Sequence, residues 1–161
     1  MIKISLDIQI RAKREVVWAY MADIPMAIAH NRLHGDIISL QSPHAKMGHE
    51  YIIPHRAFLR MIEMKAMIEK CIPGELIQIR ELTMLSPKRG FQHTCMFRLI
   101  SSKKGTKLAY SLEGTFGNSI QDLLYKPIAR GIMMEELFRI KHAIESSEPT
   151  LDIKTQSLKP I

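Results

Sequence analysis

The stretch Ile2-Lys3-Ile4-Ser5-Leu6-Asp7-Ile8-Gln9-Ile10 places an aliphatic side chain at every second position and a polar one between each pair. Period-two alternation of this kind marks a strand with one face on a core and the other in water. Directly after it, within Lys13–Met21, Val17 and Trp18 stand one helical turn before Met21, so the strand delivers a short amphipathic helix.

Further along the chain, Glu15–Met21 predicts one short helix, and Pro25 near the first turn of Ile24–Asn31 suits a second, because a proline there has no helical hydrogen bond to lose. Gly35 and Asp36 end the pair. Strand-like runs follow at Ile37–Gln41 and Glu50–Phe58, the second carrying Pro54, which points to an edge or a bulge. In Met61–Ile72 the residues Ile62, Met64, Ala66, Ile68 and Ile72 are expected to share one face. Pro73-Gly74 is a strong turn signal before Leu76–Leu82, and Ser86-Pro87-Lys88-Arg89-Gly90 separates that run from Phe91–Ile100. Phe91, His93, Cys95, Phe97 and Leu99 fall on one side of the sixth strand. After Lys103-Lys104-Gly105-Thr106, Leu108, Tyr110, Leu112, Gly114 and Phe116 do the same in Lys107–Phe116. Seven strands joined by short turns predict an antiparallel meander with one face buried.

The last helix, about Ile120–Glu145, contains a conflict. On a helical wheel Ile120, Leu124 and Ile128 cluster opposite Asp122, Lys126 and Arg130, whereas Met133, Leu137, Ile140 and Ile144 cluster on nearly the reverse side. Pro127 removes the bond to the carbonyl of Leu123, and Gly131 follows one turn later. A kink between them is therefore expected, so that each half buries its own apolar face. Residues 1–146 read as one domain and 147–161 as a polar tail.

Lys and Arg outnumber Asp and Glu by 23 to 16, giving a formal net charge of +7. The basic residues are scattered, with no tract longer than a pair and no nucleic-acid-binding signature, which argues against sequence-specific nucleic acid and allows only a weak contact with an anionic membrane surface. Cys71 and Cys95 fit neither a CxxC pair nor a zinc spacing and read as reduced, structural thiols. No stretch approaches the ~20 apolar residues of a membrane span and no signal-peptide pattern opens the chain, so a cytoplasmic protein is expected. Eleven methionines supply flexible thioethers for irregular apolar spaces.

Several short segments, in order, resemble the START-like, or SRPBCC, helix-grip superfamily of polyketide cyclase/dehydrase-like and lipid-transfer proteins. They are Ile8-Gln9-Ile10-Arg11-Ala12 with Glu15-Val16-Val17-Trp18 and Asp23, then Glu69-Lys70-Cys71-Ile72-Pro73-Gly74-Glu75, then Gly105-Thr106-Lys107-Leu108, then the long last helix. The resemblance covers about Ile2–Glu145. It implies an α+β fold in which a curved antiparallel sheet of about seven strands wraps around the last helix, with two short helices after the first strand and an apolar cavity between sheet and helix. Superfamily members bind sterols, lipids, polyketides or other hydrophobic molecules, and some catalyse reactions on them.

Strand alternation and helix position give Met64, His93, Cys95, Phe97, Tyr110, Leu112, Ile128 and Ile132 as candidate cavity residues. His93 and Tyr110 are the polar members able to orient a ligand oxygen or move a proton. His55 alternates with Tyr51 and Ile53 and is a weaker candidate. His30 and His34 are four apart with His44 and His49 nearby, but His34 adjoins Gly35 at the expected helix end. No metal site and no cofactor are therefore expected. No catalytic motif appears, and no catalytic residue is assigned. The leading reading is binding, carriage or sequestration of a small hydrophobic ligand, without catalysis. The alternatives are a cyclase/dehydratase-type enzyme using His93 or Tyr110 and a filled-core protein-interaction module. Ligand identity and oligomeric state are not fixed by the sequence.

Overall fold

The computed structural model describes residues 1–57, 60–84 and 90–147. The end of the third predicted strand at Phe58, the loop Ser86–Arg89 and the tail from residue 148 lie outside the described residues. In chain order the elements are β1 (Ile2–Ile10), α1 (Arg14–Ala22), α2 (Ile24–Ile28), β2 (Ile38–Ser39), β3 (Glu50–Ala57), β4 (Arg60–Ile72), β5 (Leu76–Thr83), β6 (Gln92–Ser102), β7 (Gly105–Thr115) and α3 (Ser119–Ser147). The strands form one curved antiparallel sheet in the order β1-β7-β6-β5-β4-β3-β2, a meander closed by β1 pairing with β7. The architecture is α+β, as the alternation and the short turns predict.

Sequence and packing agree strand by strand. In β1, Ile2, Ile4, Leu6 and Ile10 are buried while Lys3, Ser5 and Asp7 face water. In α1, Val17 and Met21 are the buried pair. Asp23 caps α2 by accepting a hydrogen bond from the Met26 amide at 3.1 Å, and Pro25 occupies the first turn. The α2 helix stops at Ile28, short of the expected Asn31, because the Asn31 side chain instead accepts from the Leu33 amide at 3.0 Å and turns the chain. This short ending sends His34 toward β3, where it forms an isolated antiparallel bridge with His55.

Two expectations need correction. Along β4, Met64, Ala66 and Ile68 are buried, but the register shifts between Ile68 and Lys70, so Ile72 is exposed rather than on their face. The last helix is continuous, with Pro127 inside it, and its first half does not bury the apolar face expected of it. The conflict between its halves is resolved by exposure. One inward stripe runs through Asp122, Ala129, Met133, Glu136, Leu137, Ile140 and Ile144, and it leaves Ile120, Leu123 and Leu124 between 67% and 72% exposed. Asp122, expected on the polar side, is buried and accepts from the Thr115 hydroxyl and the Phe116 amide, each at 2.8 Å. At its far end α3 is tied to β1: Lys141 Nζ donates to the Gln9 carbonyl at 2.6 Å, and the Arg11 amide donates to Glu145 at 2.7 Å. No helix among the described residues is long and apolar enough to cross a membrane.

Candidate functional site

The sheet face that looks at α3 is apolar except for one cluster. On β5 the inward row is Ile77, Ile79 and Glu81; on β6 it is His93, Cys95 and Phe97; on β7 it is Tyr110 and Leu112. Glu81 stands directly opposite His93 in the β5–β6 register, and on its other side it faces Ala66 of β4, whose methyl group leaves space. From β3, His55 reaches across that space. On the far side of His93 the partner is Gly114, where a Cβ would lie 2.5 Å from the Cβ of His93, so only a glycine lets these strands pair with His93 in place.

The carboxylate of Glu81 is shared by two imidazoles: His55 Nε2 lies 2.8 Å from Oε2, and His93 Nε2 lies 3.5 Å from Oε1. His93 Nδ1 sits 2.8 Å from the Phe91 carbonyl, and His34 Nδ1 sits 2.9 Å from the Ile28 carbonyl. A carbonyl only accepts, so both Nδ1 atoms carry hydrogen when these rings are neutral. Across the chamber, α3 presents Glu136, whose Oε2 accepts from Asn31 Nδ2 at 3.2 Å. The thiol of Cys95 lies 3.5 Å from the Tyr110 hydroxyl. Among the described residues, no buried side-chain nitrogen or oxygen lacks a partner.

Burial and charge push these groups apart. Burial alone would raise Glu81, but the charge of His93 and hydrogen bonds from both imidazoles outweigh it and hold the carboxyl well below its usual range. Burial opposes the charged form of His93 too, yet the facing Glu81 carboxylate holds its pKa well above that of an ordinary imidazole. Burial raises Glu136 to about 8, Glu81 adds to the rise, and hydrogen bonds from Tyr110 and Asn31 together with the charge of His93 lower it without outweighing its burial. Burial also lowers His34 to about 4, against the opposing pull of Glu81, and raises the Tyr110 hydroxyl and the Cys95 thiol. At neutral pH the chamber therefore holds an ionised pair, Glu81 and His93, facing a carboxylic acid, Glu136.

Two adjoining cavities surround this cluster. The inner one, about 50 Å³, is lined by Glu81, Glu136, His34 and the inward faces of β6 and β7. The outer one, about 440 Å³, is apolar and lies between α3 and the β3–β4 end of the sheet, with Ile62, Met64, Phe116 and Ile128 in its wall. Leu33, His55, Phe91, Tyr125 and Ile132 border both. Of the residues singled out from sequence, His93, Cys95, Phe97, Tyr110 and Leu112 lie on the inner cavity, Met64 and Ile128 on the outer one, and Ile132 on both. Ile128 is 56% exposed and stands at the rim.

Four polar members of the cluster escaped the sequence reading as site residues: Asn31, His34, Glu81 and Glu136. For two of them a signal existed. Glu81 continues the alternation of Ile77 and Ile79, and Glu136 sits beside Leu137 on the Met133–Ile140 stripe, so each is a carboxylate on an apolar face. Asn31 and His34 arrive through an irregular segment that no periodicity predicts. The neighbouring histidines go elsewhere: His30 bonds to the Tyr20 hydroxyl, and His49 Nδ1 lies 3.0 Å from the His44 carbonyl in a loop.

No protein-family model and no curated protein matches the chain. Solved structures do. Protein CV1439 from Chromobacterium violaceum superposes with a TM-score of 0.66 at 16% identity, covering 90% of this chain and 99% of that one. Ara h 8.0201 superposes with a TM-score of 0.61 at 10% identity, covering 89% and 97%. DynU16, a protein of the dynemicin biosynthetic locus, superposes with a TM-score of 0.66 at 12% identity, covering 91% of this chain and 48% of that one. The seven-stranded sheet gripping a long last helix, together with these matches, defines the chain as a helix-grip protein. This is the fold that the resemblance to the START-like, or SRPBCC, superfamily implies.

Proposed function

We propose that the protein binds a small hydrophobic molecule in the outer cavity, with one polar group of that molecule directed into the His55–Glu81–His93 cluster. The observation that carries this reading is the junction: an apolar space of about 440 Å³ shares His55, Phe91, Tyr125 and Ile132 with a buried polar chamber. A mostly apolar pocket with a few convergent polar groups is the usual form of a small-molecule site, the apolar wall supplying affinity and the polar end orientation. Met64, Phe91, Ile128 and Ile132 would contact the apolar body, and His55 or His93 a carbonyl or hydroxyl oxygen. The location of DynU16 in a biosynthetic locus agrees with such a ligand. The two cavities weaken the filled-core interaction reading, which needs a solid interior.

A second reading, a cyclase/dehydratase-type enzyme, is favoured by one specific feature. The chamber holds a carboxylate–imidazole pair opposite a carboxylic acid, the complementary groups that proton transfer to and from a bound oxygen or its neighbouring carbon requires. An environment-sensitive naphthalene dye, displaced by candidate hydrophobic molecules, tests the binding reading. Ile132→Trp, which fills the junction, should weaken displacement at least tenfold, while Glu113→Gln on the exposed sheet face should leave it unchanged. Equal affinity in wild type and Ile132→Trp would remove the assignment. Turnover of a displacing molecule, lost in Glu81→Gln with binding retained, would select the enzyme.

A further inference from the structure

We propose that His34, His55 and Glu81 form a binding site for a divalent first-row transition-metal ion, with its remaining coordination positions open to the inner cavity. The inference goes beyond the hydrophobic-ligand reading and does not rest on it. One donor atom from each of the three residues lies within 4.8 Å of the other two. Ligand atoms around a tetrahedral ion with bonds near 2.0–2.1 Å stand about 3.3 Å apart, so closing on an ion needs side-chain shifts of roughly an ångström and no change of fold.

The backbone already holds the two imidazoles together. His34 and His55 are opposite each other in an antiparallel bridge, flanked by the Gly35 amide donating to the Pro54 carbonyl and the Arg56 amide donating to the Leu33 carbonyl, both at 2.7 Å. Their ring centroids are 4.6 Å apart. The Ile28 carbonyl takes the Nδ1 hydrogen of His34, which leaves its Nε2 lone pair available. A backbone carbonyl on the non-ligating nitrogen is the usual support of a metal-bound histidine.

Glu81 offers Oε2 on the His55 side, while His93, itself fixed on the Phe91 carbonyl, holds Oε1. His93 is thus placed to orient the carboxylate rather than to bind the ion. Two imidazoles and one carboxylate suit Zn²⁺, Fe²⁺, Co²⁺ or Ni²⁺ and supply too few oxygens for Ca²⁺. Binding needs His55 to turn its Nε2 lone pair to the ion, with the ring hydrogen carried on Nδ1. Glu81, His93 and Cys95 make a second compact group around the same carboxylate, but Cys95 is engaged with the Tyr110 hydroxyl.

Zn²⁺ titration of the full chain, stripped with EDTA and followed by competition with a chromophoric chelator, tests the site. The expected result is one saturable equivalent, with affinity reduced about 100-fold or more by His34→Gln and by His55→Gln. A loss of about tenfold is expected for His93→Gln, and no change for Cys95→Ser or for His142→Gln at an exposed position. Affinities of His34→Gln and His55→Gln equal to wild type, or no saturable binding by wild type, would overturn it. The Co²⁺ spectrum of the wild-type protein needs no variant. Nitrogen and oxygen ligation gives d–d bands without a thiolate charge-transfer band, and a thiolate band would move the ion to Cys95 and refute this assignment. Dye displacement in EDTA reads the ligand site separately, so failure of one leaves the other standing.

Discussion

Replacing Glu136 by glutamine should stabilise the protein, and by an amount that grows with pH. The side chain is 1% exposed on the inward stripe of α3, and burial raises its pKa from 4.5 to about 8. Below pH 4.5 the carboxyl is neutral folded and unfolded, so its ionisation costs nothing. Between 4.5 and about 8 the unfolded chain gives up the proton and the folded chain keeps it, so stability falls as pH rises and levels off above the folded pKa. At 1.36 kcal/mol for each pH unit, the loss reaches an upper limit of roughly 3 kcal/mol at pH 7. Glutamine keeps the shape: its oxygen can accept from Asn31 Nδ2, and its amide can donate to the Tyr110 hydroxyl, which then turns its hydrogen toward Cys95. Thermal unfolding in EDTA at pH 5 and pH 8 measures the difference. The Tm advantage of Glu136→Gln should widen between these pH values by about 6–12 °C, from a free-energy difference of roughly 3 kcal/mol at this chain length. An advantage that is constant with pH, or a variant less stable at pH 8 than at pH 5 relative to wild type, would refute the assignment of a buried neutral carboxyl.

Gly114→Ala places a methyl group 2.5 Å from His93 Cβ and 2.7 Å from the Gln92 carbonyl, so the strands must shift; a loss of about 1–3 kcal/mol in urea unfolding is expected. Unchanged stability would mean that β6 and β7 do not approach as described. Leu124→Ser should change stability by less than about 0.5 kcal/mol, because Leu124 is 67% exposed. A loss of 2 kcal/mol or more would show that the first half of α3 buries the face the helical wheel suggests.

The fold was legible because its signals are periodic. The alternation of Ile2 to Ile10 and of Phe91 to Leu99 fixes which side of each strand is buried, and the turn residues Pro73-Gly74 and Lys104-Gly105 fix where strands reverse. Where the backbone departs from regularity the reading failed: the bulge after Ile68 turns Ile72 outward, and the early stop of α2 frees Asn31 and His34 to enter the site. The last helix misled for another reason. Its apolar residues Ile120, Leu123 and Leu124 invite burial, but the stripe chosen by packing runs through Asp122, Ala129 and Glu136. Half the site followed from alternation alone, as His93, Cys95 and Tyr110 show. The carboxylates did not, because a buried acid is costly in isolation and becomes tolerable only with partners brought from distant strands, His55 and His93 for Glu81, Asn31 and Tyr110 for Glu136.

Whether the cavity takes a hydrophobic molecule is decided by native mass spectrometry of protein purified without detergent, followed by solvent extraction of whatever it carries. A one-to-one complex with an apolar molecule bearing an oxygen function is expected, reduced to the mass of the bare chain by Ile132→Trp. Bare wild-type chain that also fails to take up any offered hydrophobic molecule, or a bound mass unaffected by Ile132→Trp, would contradict the reading of this space as a ligand site.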